Sequence, residues 1–335
     1  MTLDELVQGL RDSRGFAHKR DIGDIVGAFG RALPGGEQAM AQAVANGDDC
    51  AAIPDGDGYL LLAIEGLTED FVARMPWFAG YSGVMVNVSD VAAMGGRPIA
   101  VVDALWSYGM DPAEDVVAGM AAASAAYGVP IVGGHSNNRS EKGQLAVAIL
   151  GRARRLLSSF NARPGDALMM AVDLRGRFED PYPWWNASTD APPDRLRRDL
   201  ALLPWIAETG LCDAAKDISM AGVVGTALMM LECSGVGARI DLGAIPMPPG
   251  VPRLRWLTAF PSYGFVFSVR PSKVSALQQA FRERDLACEA IGLVEVGSRV
   301  TLTYDGEAGE LWDFAEQPFI GSGARGAPLR SSAAR

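Results

Sequence analysis

Several patterns that would assign a function at once are missing from this chain of 335 residues. The four cysteines form no CxxC pair, so neither a zinc ribbon nor a thioredoxin-type redox site is predicted. No GxxxxGK[ST] phosphate-binding loop occurs. Only four lysines are present, and the formal net charge is −10 at pH 7. The chain therefore lacks the basic stripe typical of nucleic-acid binding, and we expect no nucleic-acid partner.

Signals for membranes and for export are also lacking. No apolar run reaches 18 residues, and the N-terminal "MTLDELVQGLRDSRGFAHKRD" has neither the basic start nor the apolar stretch of a signal peptide. We therefore expect a cytoplasmic protein with reduced thiols and no membrane partner. Because the chain is acidic, it would need metal ions in order to bind a phosphorylated ligand.

The apolar residues predict strands and helices mixed along the chain, which is the α/β (or α+β) class. Strands are predicted over 58–65, 98–106, 129–137 and 143–153, and helices over 78–96 and 112–128. The length predicts two domains, and the loop-like "SSFNARPGDA" places their boundary. We expect an N-terminal domain over 1–158, a C-terminal domain over 159–318 and a disordered tail over 319–335.

The segment "RFEDPYPWWNASTDAPP" is rich in proline and aromatic residues and predicts a long ordered loop. Its Trp184 and Trp185 would either cover a flat substrate or take part in core packing or a dimer contact. The sequence leaves both roles open.

Carboxylates stand at the ends of predicted elements in three motifs of the first half. Asp48 and Asp49 in "NGDDCAAI" predict either a solvated turn or a ligand site, because adjacent carboxylates repel each other unless a cation or solvent separates them. Glu65 ends the strand "LLLAIE", as a rim acid or as a binding residue. Asp90 in "VMVNVSDVAAMGGRP" follows Asn87 by three residues on one helix face. If it is buried there, Asp90 needs hydrogen bonds, a basic partner or a metal.

Two further motifs place polar groups beside small residues. In "KDISMAGVVGTALMM", Asp217 stands at a predicted helix N-cap and Ser219 follows it. A helix N-terminus of this kind receives phosphate groups, although capping alone would explain Asp217. His135, in "VPIVGGHSN", lies in a Gly-rich turn, where an imidazole suits acid–base work, a phosphate contact or a structural role.

These motifs, in this order, resemble the superfamily of aminoimidazole ribonucleotide synthetase, thiamine-monophosphate kinase, selenophosphate synthetase and formylglycinamidine synthetase. The most specific match is "VNVSDVAAMGGRP", which resembles the family segment "VNLSDLAAMGA-P". "GDDCAAI" resembles "GDDAAV", "VPIVGGHSN" resembles the family's Gly-Gly turn, and "DISMAGVVGTALMMLECSGVGARID" resembles "DISDGL…SGVGA-ID". The resemblance extends over roughly residues 45–300.

The resemblance implies two α/β domains, of which the N-terminal one pairs with its copy in a homodimer through a β-barrel-like interface. It also implies ATP and Mg²⁺ held between the domains by acidic residues. Motif by motif, the metal ligands it implies are Asp48, Asp49, Glu65, Asp90 and Asp217. The cofactor-binding residues it implies are Asn87, Asp90, Gly133, Gly134, Ser136, Asp217 and Ser219.

Departures from the family pattern bear on the reaction. Met220 and Ala221 stand where thiamine-monophosphate kinase has Asp-Gly, so a second acid is missing. No cysteine precedes Cys50, which argues against selenium chemistry. In "AHKRD", Lys19 would close over phosphates or lie in a solvated basic turn. Lys19 and His135 are the candidate catalytic residues.

The chain is thus expected to be an ATP- and Mg²⁺-dependent enzyme that transfers a phosphoryl group to a small-molecule acceptor. The product would be a phosphate ester, or an activated amide or formyl oxygen as in aminoimidazole ribonucleotide synthetase. Two alternatives stay open, namely thiamine-monophosphate kinase and a non-catalytic ATP-binding regulatory or scaffold dimer. The sequence does not identify the acceptor.

Overall fold

A computed structural model describes residues 1–32 and 46–321. Two compact units are present, and each contains one main β-sheet. Asp49–Leu156 and Ser188–Thr209 form the five-strand unit. The described residues of Met1–Asp48, Leu157–Ala187 and Gly210–Arg335 form the seven-strand unit. None of the described helices is both long enough and apolar enough to span a bilayer.

The five-strand unit combines an antiparallel meander with one parallel crossover. Its elements are β1 (Ala51–Asp55), β2 (Gly58–Leu67), α3 (Glu69–Arg74), α4 (Pro76–Ala93), β3 (Arg97–Trp106), α5 (Met110–Tyr127), β4 (Ile131–Asn137), β5 (Gln144–Ala153), α6 (Pro193–Leu200) and α7 (Leu202–Glu208). The strand order is β1-β2-β5-β3-β4, and only the β3–β4 pair is parallel. The helix α5 that connects β3 to β4 is the crossover that a parallel pair requires.

The two faces of this sheet differ in burial. Alternate residues of β2 and β5, among them Leu61 and Val147, are buried beneath α4. The opposite face is apolar and exposed, and we call it the open face. Its exposed side chains are those of Ile53, Leu62, Ile64, Val102 and Leu150.

The seven-strand unit has a mostly antiparallel sheet. Its strands are β6 (Ala167–Val172), β7 (Arg177–Phe178), β8 (Trp184–Asn186), β9 (Ala215–Asp217), β10 (Gly237–Asp241), β11 (Phe260–Pro261), β12 (Gly264–Val269), β13 (Ala287–Glu295), β14 (Arg299–Tyr304) and β15 (Glu307–Asp313). Its helices are α1 (Leu3–Arg11), α2 (Arg14–Ala32), α8 (Gly222–Ser234), α9 (Arg253–Leu257) and α10 (Val274–Arg282). The large sheet runs β15-β14-β10-β13-β6-β12-β9, and β7, β8 and β11 form a separate small sheet.

Two pieces of chain pack differently from the linear division expected from the sequence. The N-terminal helices belong to the seven-strand unit, because the Arg11 guanidinium donates to the Leu311 carbonyl at 3.0 Å and Phe16 packs edge-on against Phe319. Residues 188–209 return to the five-strand unit, where the Ser188 hydroxyl lies 2.7 Å from that of Tyr81. Contacts between elements distant in sequence decide this grouping, and apolar patterning does not contain them.

The expected tail and the expected aromatic loop also contain ordered structure. Phe319 and Ile320 are buried in the seven-strand unit, whereas 322–335 lie outside the described residues. The proline- and aromatic-rich segment contains β7 and β8. Trp185 is buried there and donates its indole N–H to the Asp173 carbonyl at 2.8 Å, while Trp184 stacks on Tyr182. The structure thus assigns Trp185 to core packing.

Candidate functional site

The helix α4 carries polar side chains in an otherwise apolar, buried run. Small residues and valines fill most of its positions, and every residue from Phe78 to its end is buried. Asn87 is fully buried and donates from Nδ2 to the carbonyls of Gly83 and Val147, at 2.7 and 2.9 Å. Its Oδ1 has no hydrogen-bond partner among the residues that the structure describes. A buried acceptor left unused costs about 1–3 kcal/mol, so Asn87 has the property of a ligand-binding group.

Asp90 lies one turn after Asn87 and meets Asp49, which lies two residues before β1. Asp90 is buried, Asp49 is half-buried, and each carboxylate offers an oxygen within 4.8 Å of the other. Two carboxylates so close repel each other unless a cation or a proton lies between them. Mg²⁺ is bound in proteins through one or two carboxylates together with phosphate oxygens and water. The donor set of Asp49 and Asp90 therefore fits a magnesium ion.

A row of the sheet places two further carboxylates on the side that α4 covers. Register joins Glu65, Val147, Asp103 and Gly134 across β2, β5, β3 and β4. Glu65 and Asp103 thus flank Val147, whose carbonyl binds Asn87. Burial raises the pKa of Asp103 above its ordinary value. A side chain at Gly134 would overlap the Asp103 carboxylate, so this glycine leaves room for it.

Asp103 is a residue that the motif-based reasoning missed. Its signal was a lone acid in the middle of the apolar strand "PIAVVDALW". The alternation of that strand places Asp103 on the same face as Val101 and Leu105. Without the pairing register, the sequence could not show that it shares a row with Glu65.

The remaining residues of the Gly-rich motif divide between the two faces of the sheet. Ser136 pairs with Leu105 and faces the same side as Gly134. Gly133 and His135 pair with Val102 and Ala104, on the open face. The imidazole of His135 lies 5.9 Å from the Trp106 ring. His135 is therefore separated by the sheet from Asp90, and the catalytic role expected for it stays a prediction.

Asp48 and Asp49 are adjacent in sequence but make different contacts. Both oxygens of Asp48 accept hydrogen bonds within the seven-strand unit, from the Ser158 hydroxyl at 2.8 Å and the Ser159 amide at 2.5 Å. The buried Lys216, a residue that the motif-based reasoning missed, donates to the Gly47 carbonyl at 3.1 Å. These bonds hold the loop that contains Gly47 and Asp48, so Asp48 has a structural role. Asp49 carries the candidate metal contact.

Asp217 ends β9 in the seven-strand unit, where it pairs with Phe265 and is buried. The expected N-cap role is not observed, because Ala221 is the N-cap residue of α8 and offers no side-chain bond. Ser219 lies in the turn between β9 and α8. Its amide donates to the Thr226 hydroxyl at 3.2 Å, and its own Oγ lacks a partner among the described residues. That buried hydroxyl therefore has unused hydrogen-bonding capacity.

Lys19 lies on α2 and is half-buried. Within residues 1–32 and 46–321 it forms no hydrogen bond or ion pair. A lysine held against the protein surface without a partner is suited to meeting an anion. The structure places Lys19 in the seven-strand unit.

Comparison with known proteins identifies the family. The model of the AIR synthase related protein, N-terminal domain, matches residues 47–153, and that of the C-terminal domain matches residues 185–305. An uncharacterized protein of Synechocystis sp. is 47% identical over 95% of this chain and 98% of its own length. This chain belongs to the AIR synthase related family. The resemblance found in the motifs is thereby confirmed.

Solved structures of two other proteins share the fold. A PurL of Thermotoga maritima complexed with ATP has a TM-score of 0.69 at 19% identity, covering 86% of this chain. This AIR synthase related chain spans 49% of that PurL, about half its length. AaThiL complexed with AMPPCP and TMP has a TM-score of 0.63 at 22% identity, covering 81% of this chain and 91% of that one. The two-domain, mixed α/β prediction is confirmed, whereas the dimeric barrel-like interface stays a prediction.

Proposed function

We propose that this protein binds ATP with Mg²⁺ and transfers a phosphoryl group to a small-molecule acceptor. The observation that carries the proposal is the Asp49–Asp90 pair, whose oxygens lie within 4.8 Å of each other. One turn earlier on α4, the Oδ1 of buried Asn87 has no hydrogen-bond partner among the described residues. The structural neighbours support it, since PurL was complexed with ATP and AaThiL with AMPPCP and TMP.

In this proposal the two carboxylates hold the metal ion, and a bound Mg²⁺ would neutralise charge on the transferring phosphoryl group. Asp90 is buried in α4, so its orientation is set before the nucleotide arrives. Glu65, another of the acids expected at the metal, is a candidate for binding a water ligand of the ion. Asp217 is a candidate for a metal ligand and for a nucleotide contact, as the resemblance implies, and Lys19 and Ser219 are candidates for contacts to the nucleotide or the acceptor.

The raised pKa of Asp103 suits a group that accepts a proton. A carboxylate with a pKa above its ordinary value is a stronger base, which favours transfer of a proton from an acceptor hydroxyl or amide. We propose Asp103 as the candidate base. The acceptor itself is open between an alcohol, which gives a phosphate ester, and an amide or formyl oxygen, which gives an activated intermediate.

Calorimetry with Mg²⁺ and the analogue AMPPCP tests the proposal. The unaltered protein should bind the analogue only when Mg²⁺ is present. Asp90→Asn removes one of two charged ligands, and we expect binding to weaken by about 100-fold, at or above the range for changes around a metal site. The matched control is Asp115→Asn, which removes an exposed aspartate of α5 in the same unit and should leave affinity unchanged. Equal affinity of the Asp90→Asn protein would exclude this site.

One observation favours a non-catalytic alternative. Met220, whose side chain is 44% exposed, stands where the kinase motif has an acid, so this position supplies no carboxylate. ATP binding without turnover across a panel of alcohols, amides and amines would support a regulatory or scaffold role. Turnover of thiamine monophosphate would instead identify a thiamine-monophosphate kinase.

We further propose that a second copy of the chain covers the open face, which would make the protein a homodimer. Ile64 is 69% exposed and Leu62 is 48% exposed, and they lie beside Val102 and Leu150 on one continuous surface. A contiguous apolar surface of this kind marks an interaction site. His135 and Trp106 would then lie at the interface between the copies.

Sedimentation equilibrium tests the homodimer. Ile64→Lys should convert dimers to monomers, because two desolvated lysines would face apolar surface. The control is Val117→Asp, which places a charge on α5 at another apolar residue that is 49% exposed. Dimers that survive Ile64→Lys but not Val117→Asp would place the interface elsewhere.

A further inference from the structure

One face of α2 lies close to the backbone of other segments at two points, and Lys19 is between these points in the sequence. Gly15, Lys19 and Gly23 follow one another at intervals of four residues, so they lie on one stripe of the helix. A side chain at Gly15 would overlap the Met220 carbonyl and lie 2.8 Å from the Ala221 Cα. One at Gly23 would lie 3.1 Å from the Ile320 carbonyl oxygen. Lys19 therefore lies on the stripe of α2 between its approach to the turn that follows Asp217 and its approach to the chain segment 319–321.

The segment 319–321 is itself fixed by a buried carboxylate. Glu232 is 5% exposed, in the last turn of α8. It accepts backbone N–H bonds from Phe319 at 2.9 Å, Ile320 at 2.7 Å and Gly321 at 3.3 Å. A carboxylate that accepts several amide bonds is a strong anchor, because each bond is charge-assisted. We call residues 319–321 the C-terminal hook.

The hook reaches α2 through two contacts. The Phe319 ring packs edge-on against Phe16 at 5.1 Å between centroids, and Trp312 contacts both rings. The Ile320 carbonyl lies against Gly23. Phe16 is fully buried, so release of the hook would remove one wall of its pocket and one support of the stripe that carries Lys19.

We propose that Glu232 is a positioning residue: through the C-terminal hook it holds α2 so that the Lys19 ammonium meets an anionic group bound at the turn that follows Asp217. The proposal rests on the proposed function for the identity of that anion, a phosphate of the nucleotide or of the acceptor. How Lys19 is held depends only on contacts within the seven-strand unit. Glu232 touches no ligand in this scheme and acts through Lys19.

A labelling experiment without nucleotide tests the holding of Lys19. The chain has only four lysines, so acetylation by sulfosuccinimidyl acetate is followed at each by mass spectrometry. Glu232→Gln replaces the carboxylate with an amide, which accepts the backbone N–H bonds of the hook less strongly. We therefore expect the hook to open and the acetylation rate at Lys19, relative to that at the exposed Lys273, to rise about three-fold or more. An unchanged rate would overturn the proposal. The control Glu283→Gln alters an exposed acid directly after α10.

A second variant keeps the test decisive if Glu232→Gln fails to fold. Gly23→Ala inserts a methyl group against Ile320 and leaves Glu232 intact, so it should raise the Lys19 rate in the same direction. Gly27→Ala is its matched control on the same helix, where the flexible Arg31 side chain is the one group that the methyl meets within residues 1–32 and 46–321. Equal rates in these two variants would contradict the role of the hook.

A double-mutant cycle on the affinity for Mg²⁺–AMPPCP separates positioning from general stability. Lys19→Ala should weaken binding by about ten-fold, the range of one charge-assisted hydrogen bond. Glu232→Gln should weaken it in the parent protein but add nothing in the Lys19→Ala background, because it acts through Lys19. A merely structural role would give equal losses in both backgrounds and overturn the proposal. If the unaltered protein does not bind the analogue, the proposed function fails, and the labelling result still decides the positioning.

Discussion

Alanine substitutions at two glycines of α2 should change stability in opposite directions. Gly15 and Gly27 both lie inside Arg14–Ala32, so each loses helix stability relative to alanine. At Gly27 the added methyl group meets, among the described residues, only the side chain of Arg31, at 3.3 Å. We expect Gly27→Ala to stabilise the protein by about 0.5–1 kcal/mol, which is the helix-propensity difference.

At Gly15 the same methyl group meets backbone that no rotamer change can move. It would overlap the Met220 carbonyl and lie 2.8 Å from the Ala221 Cα, so α2 must shift by about 1 Å to reach ordinary contact. Overpacking of this kind costs about 1–3 kcal/mol. The shift also loosens the burial of neighbouring Phe16, which is worth about 1.5–3 kcal/mol when complete. After the propensity gain, we expect a net destabilisation of about 1–3 kcal/mol.

Urea unfolding of the two variants and the parent protein, followed by circular dichroism, measures the difference. The midpoint should fall for Gly15→Ala and rise for Gly27→Ala, with similar slopes in all three proteins. If both substitutions stabilise the protein equally, then α2 does not lie against the turn that follows Asp217. The reasoning about Lys19 would fail with it.

Two further predictions concern titratable groups. Because the pKa of Asp103 is raised by burial, the folded protein binds that proton more tightly than the unfolded chain, and stability is lost as the pH rises from about 4 through the raised pKa. When urea unfolding is measured between about pH 4 and 7, the free energy of unfolding should therefore fall less with rising pH for Asp103→Asn than for the parent protein. Parallel curves of unfolding free energy against pH would contradict this. Burial also raises the pKa of the Cys212 and Cys288 thiols to about 12. Native protein should leave both unmodified by iodoacetamide at about pH 8, as peptide mapping would show, and rapid alkylation would refute their burial.

The order and type of most elements could be predicted from the sequence. The apolar run of β2, the small-residue helix α4 and the capped helix α5 were recognisable because each element leaves a periodic pattern in its own residues. The motif that contains Asp90 was sufficient to select that residue, since a lone acid in a buried helix is costly unless it has a purpose. These are local properties, so residues close in sequence are enough to predict them.

Other features depend on contacts between segments far apart in sequence. The different contacts of Asp48 and Asp49 depend on Ser158 and Ser159, more than 100 residues away. The role of Asp103 depends on strand register, and the separation of His135 from Asp90 depends on which face of β4 it occupies. Sequence patterns do not specify these pairings, because register is set by the packing of both strands.

The sequence by itself determined the family, the alternation of strands and helices, and the acids from which a metal site is chosen. Only the tertiary structure decided that Asp49 faces Asp90, that Trp185 belongs to the core and that a segment expected to be disordered is fastened to Glu232. The physical reason is that periodicity and motif spacing record what each segment needs to bury. Which distant group then satisfies a carboxylate or an amide is set only when the chain has packed.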